Sequence, residues 1–432
     1  MPVLHAPWAT RAPIYQVNLR QYTPQGTLAA FEPHLPRIAR MLGGQGILWF
    51  MPLQPIGELN RKGGLGSYYS VRDYTAVNPE FGTLNDFNRV VEKAHALGLR
   101  VIIDWVANHT AWDHRWTTEH PDWYLKDERG QIHSYVYRAN PQAEPEYWTD
   151  VVGLDWAQPA VWDAMEQAML WWMHKTRIDG FRCDVAALVP IEFWERVRPR
   201  LAVLREVYLL AEAHEPIHHR AAFDGTYDWG LMDAFKRIAR GEGDARDLQA
   251  WWQQRGEHYG ADDYRMLYTA NHDSNSWQGS CAELFGDLAA FKAMATLAML
   301  LPGQPLIYGG QEAFFDKRLA FFEKDPIDWK DRPLEGFYRD LLTMKRTHAA
   351  LGNSHAGTRL RWLETGNPRV VAFERQAGTA VLRVAVNLSG QEQPWTPTGD
   401  FSRSCSASPS KTDSKTDLPP TSLPAWHRLI ET

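Results

Sequence analysis

Between residues 14 and 310, short apolar runs alternate with stretches of helical spacing, and this alternation limits the chain to very few folds. The runs are "IYQVNLR" (14–20), "GILWFMP" (46–52), "RVIIDWV" (100–106), "GFRCDVA" (180–186), "YLLAEA" (208–213), "MLYTANHD" (266–273) and "QPLIYGG" (304–310). Each is too short for a helix and is bounded by Gly, Pro or polar residues, so each reads as a buried strand. Between them, Thr83 and Asp86 make a capping box. Phe87, Val90, Val91, Ala94 and Leu97 follow at helical spacing until Gly98 closes the helix. Val161, Ala164, Met165, Ala168, Met169 and Trp172 repeat the pattern. Strand–helix alternation implies a parallel sheet with helices outside it. With an eighth strand near "DGTYDWGLM" (224–232), the expected fold class is α/β, a (β/α)8 TIM barrel. The competing open, doubly wound sheet lacks its phosphate fingerprint. "GGQG" (43–46) and "GGLG" (63–66) do not have the G-x-G-x-x-G spacing before a helix.

The alternation breaks twice. From 107 to 179 no barrel strand occurs, and 111–150 is polar and aromatic, which marks an inserted domain after strand 3. The barrel is therefore assigned to 1–110 and 151–350. From 351 to 432, "TRLRWLE", "RVVAFERQ" and "TAVLRVAVNLS" are strand-like and joined by turn signals, so a C-terminal antiparallel β domain is expected. Its segment 402–422 is of low complexity and reads as a long loop or disordered chain. "LPAWHRLIE" beyond it reads as a closing strand.

Composition narrows the partners. The 46 basic and 52 acidic residues give a net charge of −6 with no basic cluster, which argues against nucleic acid. The most apolar helical stretch, 288–301, carries Lys292 and ends at Pro302, too short to span a bilayer, so no membrane partner is expected. Cys183, Cys281 and Cys405 lie far apart, without metal spacing or a disulfide framework. The first residues show no secretory pattern, and a cytoplasmic location is expected; a mature periplasmic or secreted form reads the same way. The 20 Trp suit either a large core or stacking platforms for a flat ligand such as a sugar ring. Oligomeric state is left open.

Polar residues gather where the apolar strands stop. Strand three gives Asp104, Asn108 and His109; strand four, Arg182 and Asp184; strand five, Glu212; strand seven, Asn271, His272 and Asp273. In a barrel these ends converge on one mouth. A lone Asp there is an ordinary cap, but carboxylates at four strand ends suit glycosidic cleavage. That chemistry needs one carboxylate to attack and one carboxyl to protonate the leaving oxygen. Arg182, two residues before Asp184 on the same strand face, is expected to keep it ionised as a nucleophile. Glu212 has no Arg or Lys within six residues in sequence, so its pKa is expected to rise, as suits an acid/base.

These residues resemble the α-amylase superfamily, glycoside hydrolase family 13. "DWVANHT", "GFRCDVA", "LLAEA" and "ANHD" resemble its D-x-x-x-N-H, G-x-R-x-D, acid/base and N-H-D regions. "YYSVRDY" (68–74) and "NPEFGTLNDF" are similar to the segment after strand two. The resemblance implies Asp184 as nucleophile, Glu212 as general acid and then base, and Asp273 as the residue that binds and distorts the sugar. Arg182 would orient Asp184. His109 and His272 would hydrogen-bond the sugar, Tyr69 would stack on it, and Asp104 would position the site without doing chemistry. It also implies a retaining reaction on α-glucans or malto-oligosaccharides, with the two catalytic carboxyls about 5–5.5 Å apart. No cofactor is needed for that chemistry; a structural calcium on Asn108 and Asp155 is a further implication. Three and four residues after the nucleophile, Ala187 and Leu188 replace the Lys and His of many relatives, and Ser70 stands where many have Asp. A transglycosylase with the same site remains open, as does a non-catalytic barrel scaffold. The scaffold reading is disfavoured because all three carboxylates are present.

Overall fold

The computed structural model describes residues 3, 5–329, 331–395 and 422–432. Eight parallel strands close a barrel: β1 (Ile14–Val17), β2 (Gly46–Phe50), β3 (Leu99–Val106), β7 (Gly180–Asp184), β8 (Tyr208–Ala211), β9 (Gly225–Tyr227), β10 (Tyr264–Tyr268) and β11 (Gln304–Tyr308). They pair in the order β1-β11-β10-β9-β8-β7-β3-β2. All eight sequence-expected strands are in the ring, the eighth as β9. The strands stop earlier than the apolar runs do. Glu212 and Asp273 therefore lie on the turns that follow β8 and β10 rather than inside strands.

The helices cover the ring. Thr83 and Asp86 cap the helix Leu84–Ala96 reciprocally, and its Phe87, Val90, Val91 and Ala94 are buried. The helix Pro159–Lys175 buries Val161, Met165, Ala168, Met169 and Trp172. Both bury the apolar stripe that their sequence spacing marks.

After β3 the chain makes a three-stranded antiparallel sheet from β4 (His109–Ala111), β5 (Ser134–Tyr137) and β6 (Glu146–Gly153), in the order β4-β6-β5. His109 opens that sheet three residues past the end of β3, so the insert is rooted at the barrel mouth. Beyond the barrel, β12 (Arg359–Leu363), β13 (Val370–Ala377), β14 (Ala380–Asn387) and β17 (Arg428–Glu431) form an antiparallel sheet, and β15 (Gln393–Pro394) pairs with β16 (Ser422–Leu423). β17 is the expected closing strand. The low-complexity segment 402–422 lies outside the described residues, apart from Ser422. Among the described residues no helix is long and apolar enough to cross a membrane.

Gly180 sets the spacing of the two strands that matter most. It opens β7 opposite Tyr208 of β8. A Cβ on it would lie 1.8 Å from the Tyr208 carbonyl oxygen. Backbone against backbone leaves no rotamer to adjust, so β7 must move. Gly180→Ala is expected to cost about 3 kcal/mol or more of stability, read by urea unfolding. Activity should fall further than stability explains, because β7 and β8 lead to Asp184 and Glu212.

Candidate active site

Asp184 is the last residue of β7, and Arg182 points the same way two residues before it. Register with β3 sets Asp104 beside Arg182. The Arg182 guanidinium is buried and shared. Nη1 donates to Asp104 Oδ1 at 2.8 Å and to Asp184 Oδ1 at 2.9 Å, and Nε donates to the Tyr227 hydroxyl at 3.1 Å. Nη2 lies 2.9 Å from Glu212 Oε2, close enough for an ion pair but without hydrogen-bond alignment. The rings of Trp49, Tyr69 and Tyr227 surround it with centroids 5.0, 5.8 and 5.6 Å away.

This sharing corrects two expectations. Glu212 lacks cations near it in sequence, yet Arg182 reaches it in space because β7 and β8 are neighbours. Asp184 was expected to stay readily ionised beside Arg182. Instead its pKa stands well above the ordinary value, first through burial and next through repulsion from Glu212, with Arg182 opposing both. One guanidinium divided among three carboxylates does not neutralise the cluster. Burial also pushes Asp104 up to about 6 and Asp273 to about 7. The proton held in this cluster belongs to the group of carboxylates rather than to one residue.

Asp273 and the two histidines complete the mouth. Gln16 Oε1 accepts from the His272 backbone N–H, which leaves Gln16 Nε2 to donate to His272 Nδ1 at 2.7 Å. His272 Nε2 then carries the hydrogen and donates to the Tyr69 oxygen at 2.7 Å, while the Tyr69 hydroxyl donates to Asp104 Oδ2 at 3.0 Å. Trp49 Nε1 donates to the same Oδ2 at 3.1 Å. Burial and Arg182 hold His272 well below the usual imidazole range, and burial lowers His109 to about 4. Both rings are neutral at neutral pH. Tyr69 stacks on His272 at 5.5 Å and on Phe321 at 6.2 Å, and Trp277, 5.3 Å from Phe321, is more than half exposed. On the other side, the His109 ring meets Trp148 edge-on at 5.5 Å.

The structure thus brings Asp104, Arg182, Asp184, Glu212, Tyr69, His272 and Asp273 into one cluster, with His109 on its insert side. Gln16, Trp49, Tyr227 and Phe321 also belong to it and escape sequence reading. Gln16 is the one with a signal, a lone amide in the apolar strand "IYQV". Trp49 and Tyr227 look like ordinary core residues, and Phe321 lies in the loop after β11.

Asn108 and Asp155 line one groove together with Ala187 and Leu188. Both Asp155 oxygens are engaged, by Ala157 N–H and by Gln158 Nε2, each at 3.0 Å. The Asn108 amide faces the His109 ring. Lys62 pairs the buried Asp150 of the insert at 2.8 Å. Among the described residues no three His, Cys, Asp or Glu side chains gather as a metal site. Calcium needs six to eight oxygens. No step below depends on calcium.

Comparisons with known proteins converge on one family. The family described as alpha amylase, catalytic domain, matches residues 34–201. Alpha-amylase MalA of Haloarcula japonica is 26% identical over 89% of the chain, and the alpha-1,4-glucan:maltose-1-phosphate maltosyltransferase of Salinibacter ruber is 26% identical over 86%. The chain covers 56% and 58% of those two proteins, a little over half their length. Among solved structures, an alpha-amylase from Lactobacillus plantarum superposes with a TM-score of 0.81 at 28% identity, covering 98% of this chain and 99% of that one. A maltogenic alpha-amylase from Thermotoga neapolitana gives 0.80 at 26% identity, covering 91% of this chain and 90% of that one.

The raised carboxylates give stability a definite pH trend. An unfolded Asp titrates near about 3.9, and folded Asp273 at about 7. The native state holds the extra proton between those values, so this contribution is fully present below about pH 4 and is lost as pH rises through about 7. Water reaches Asp273, whose side chain is 40% exposed, and screens part of the effect. Asp273→Asn should therefore gain Tm over the unmodified chain at pH 8 and show little gain at pH 4. A difference independent of pH would place the penalised charge elsewhere.

Proposed function

The chain belongs to the α-amylase superfamily, and we propose that it cleaves α-glucosidic bonds of α-glucans or malto-oligosaccharides with retention of configuration. The observation that carries this reading is Arg182 joining Asp184 and Glu212 at the ends of adjacent strands, with Asp273 across the mouth. The family comparisons support it.

In the first step an Asp184 oxygen attacks the anomeric carbon. The glycosidic bond breaks as the Glu212 carboxyl gives its proton to the leaving oxygen. The glycosyl group is then an ester on Asp184. The buried, crowded carboxylate of Asp184 is poorly solvated when ionised, and passing its charge into a covalent bond relieves that cost. Positive charge builds on the sugar ring as carboxylate charge is lost, and Asp273 and the remaining carboxylates face it. Glu212 next takes a proton from water, whose oxygen attacks the same carbon and releases Asp184. The neutral His272, its Nε2–H fixed by Gln16, holds the Tyr69 hydroxyl, and Tyr69 and Phe321 supply an apolar wall for the sugar.

A second reading, glycosyl transfer, has its own observation. Ala187, Leu188, Val189, Trp156 and Ile217 line a groove of about 630 Å³ on the far side of the nucleophile turn. Its apolar part offers a face for an acceptor sugar, beside the polar Asn108, Asp155, Glu215 and His218, and the matched relatives include maltosyltransferases.

Incubation with short maltodextrins tests both. Shorter products whose first-formed anomer is α support retaining hydrolysis; oligomers longer than the substrate favour transfer, and first-formed β product overturns retention. Asp184→Asn should abolish turnover while the circular-dichroism spectrum is unchanged. Glu212→Gln should slow it by about 10²–10⁴-fold, least on substrates whose leaving group needs no proton.

A further inference from the structure

At the barrel end opposite the mouth, three buried basic side chains converge on one turn. The helix Leu288–Leu300 ends there, and β11 begins at Gln304. Arg375 Nη1 of β13 donates to Leu300 O at 3.1 Å, Arg255 Nη1 to Pro302 O at 3.0 Å, and Lys345 Nζ to Gly303 O at 3.0 Å. The three residues are 0%, 2% and 0% exposed. Among the described residues, no carboxylate lies within ion-pair distance of any of them. The carbonyl end of the helix explains one hydrogen bond from Arg375. It leaves the rest of that side chain unexplained.

What is left is a binding geometry. Arg375 Nε and Nη2, the parallel pair of donors on one edge of the guanidinium, are buried without a partner. That edge is the fork that takes a planar or small anion. Arg255 Nε and His355 Nδ1 are buried without a partner as well. His355 meets Trp252 edge-on at 5.2 Å, and the Arg255 guanidinium lies over the same Trp252 ring at 5.7 Å. Three unpaired buried guanidinium donors and an unpaired imidazole nitrogen, beside a charge without a counter-ion, are costly unless something binds them.

We propose that the seat between the barrel floor and the C-terminal sheet binds a small monovalent anion on the Arg375 fork, with Arg255 and His355 as its further donors. The anion supplies the counter-charge that the chain does not, and it ties β13 to the turn before β11. Burial pushes Arg375 down to about 9, and Arg255 pushes it the same way, so the guanidinium still carries its charge at neutral pH. The seat lies at the strand N-termini, and its occupancy bears on stability rather than on the reaction at the mouth.

The test uses the whole chain in sodium gluconate, with chloride or nitrate exchanged in at constant ionic strength. Tm should rise by about 2–4 °C and saturate. Chloride NMR lines should broaden in the presence of the chain and sharpen when nitrate competes. Arg375→Gln should lose both responses, while its Tm in gluconate equals or exceeds that of the unmodified chain because an unpaired charge is gone. Should that variant not fold, His355→Ala gives the same comparison through a weakened, right-shifted titration. Equal Tm in all three salts with no reversible line broadening overturns the proposal, leaving water as the partner of the fork. A rise that does not saturate, or that persists in Arg375→Gln, also overturns it.

Discussion

The site depends on one buried guanidinium held in common. Arg182 has no exposed surface, so it tolerates its charge only because Asp104, Asp184 and Glu212 face it. None of the three is neutralised alone, because one positive charge is divided among them. A buried ion cluster of this kind adds little net stability, since desolvation offsets attraction. It fixes geometry instead. Three strand ends are tied to one planar group, and a carboxylate displaced from it would be left buried and unpaired.

The polar groups behind the cluster act on the same plan. Gln16 sets which nitrogen of His272 carries the hydrogen, His272 and Asp104 hold the Tyr69 hydroxyl, and Trp49 braces Asp104. Val185 has a left-handed backbone at φ 36°, unfavourable for a β-branched residue. Its N–H donates to Glu212 Oε2 at 2.7 Å. The backbone turn that ends the nucleophile strand thereby also positions the second carboxylate. Strain at this point is sustained by the surrounding contacts and goes into orienting catalytic groups.

The two ends of the barrel carry opposite charge. Carboxylates crowd the C-terminal ends of the strands around one arginine, and basic side chains crowd the other end around one turn. At the mouth the excess negative charge faces a substrate that becomes positive as it reacts. At the floor the carbonyl end of the helix Leu288–Leu300 takes one hydrogen from Arg375 and leaves its fork free. Each end has unmatched charge for the same reason: strand ends and helix ends are where a barrel leaves polar groups that its ladders do not use.

The ring of strands was legible in the sequence because burial imposes period and length on local residues, and eight short apolar runs separated by capped helices have few ways to pack. The catalytic carboxylates were legible because they interrupt apolar runs at strand ends, where nothing structural demands them. The ownership of Arg182 was not legible. Its claim on Glu212 follows from β7 lying beside β8, and adjacency in a closed sheet has no trace in sequence distance. For the same reason the pKa of Asp184 could not be read from its neighbour two residues away. Burial outweighs that one contact, and burial is a property of the assembled barrel. Gln16, Tyr227 and Phe321 come from segments far apart in the chain, as do Arg255, His355 and Arg375. The sequence by itself determined which residues carry charge at strand ends; the tertiary structure alone decided which charges share a partner, because electrostatic energy depends on distance and desolvation in space.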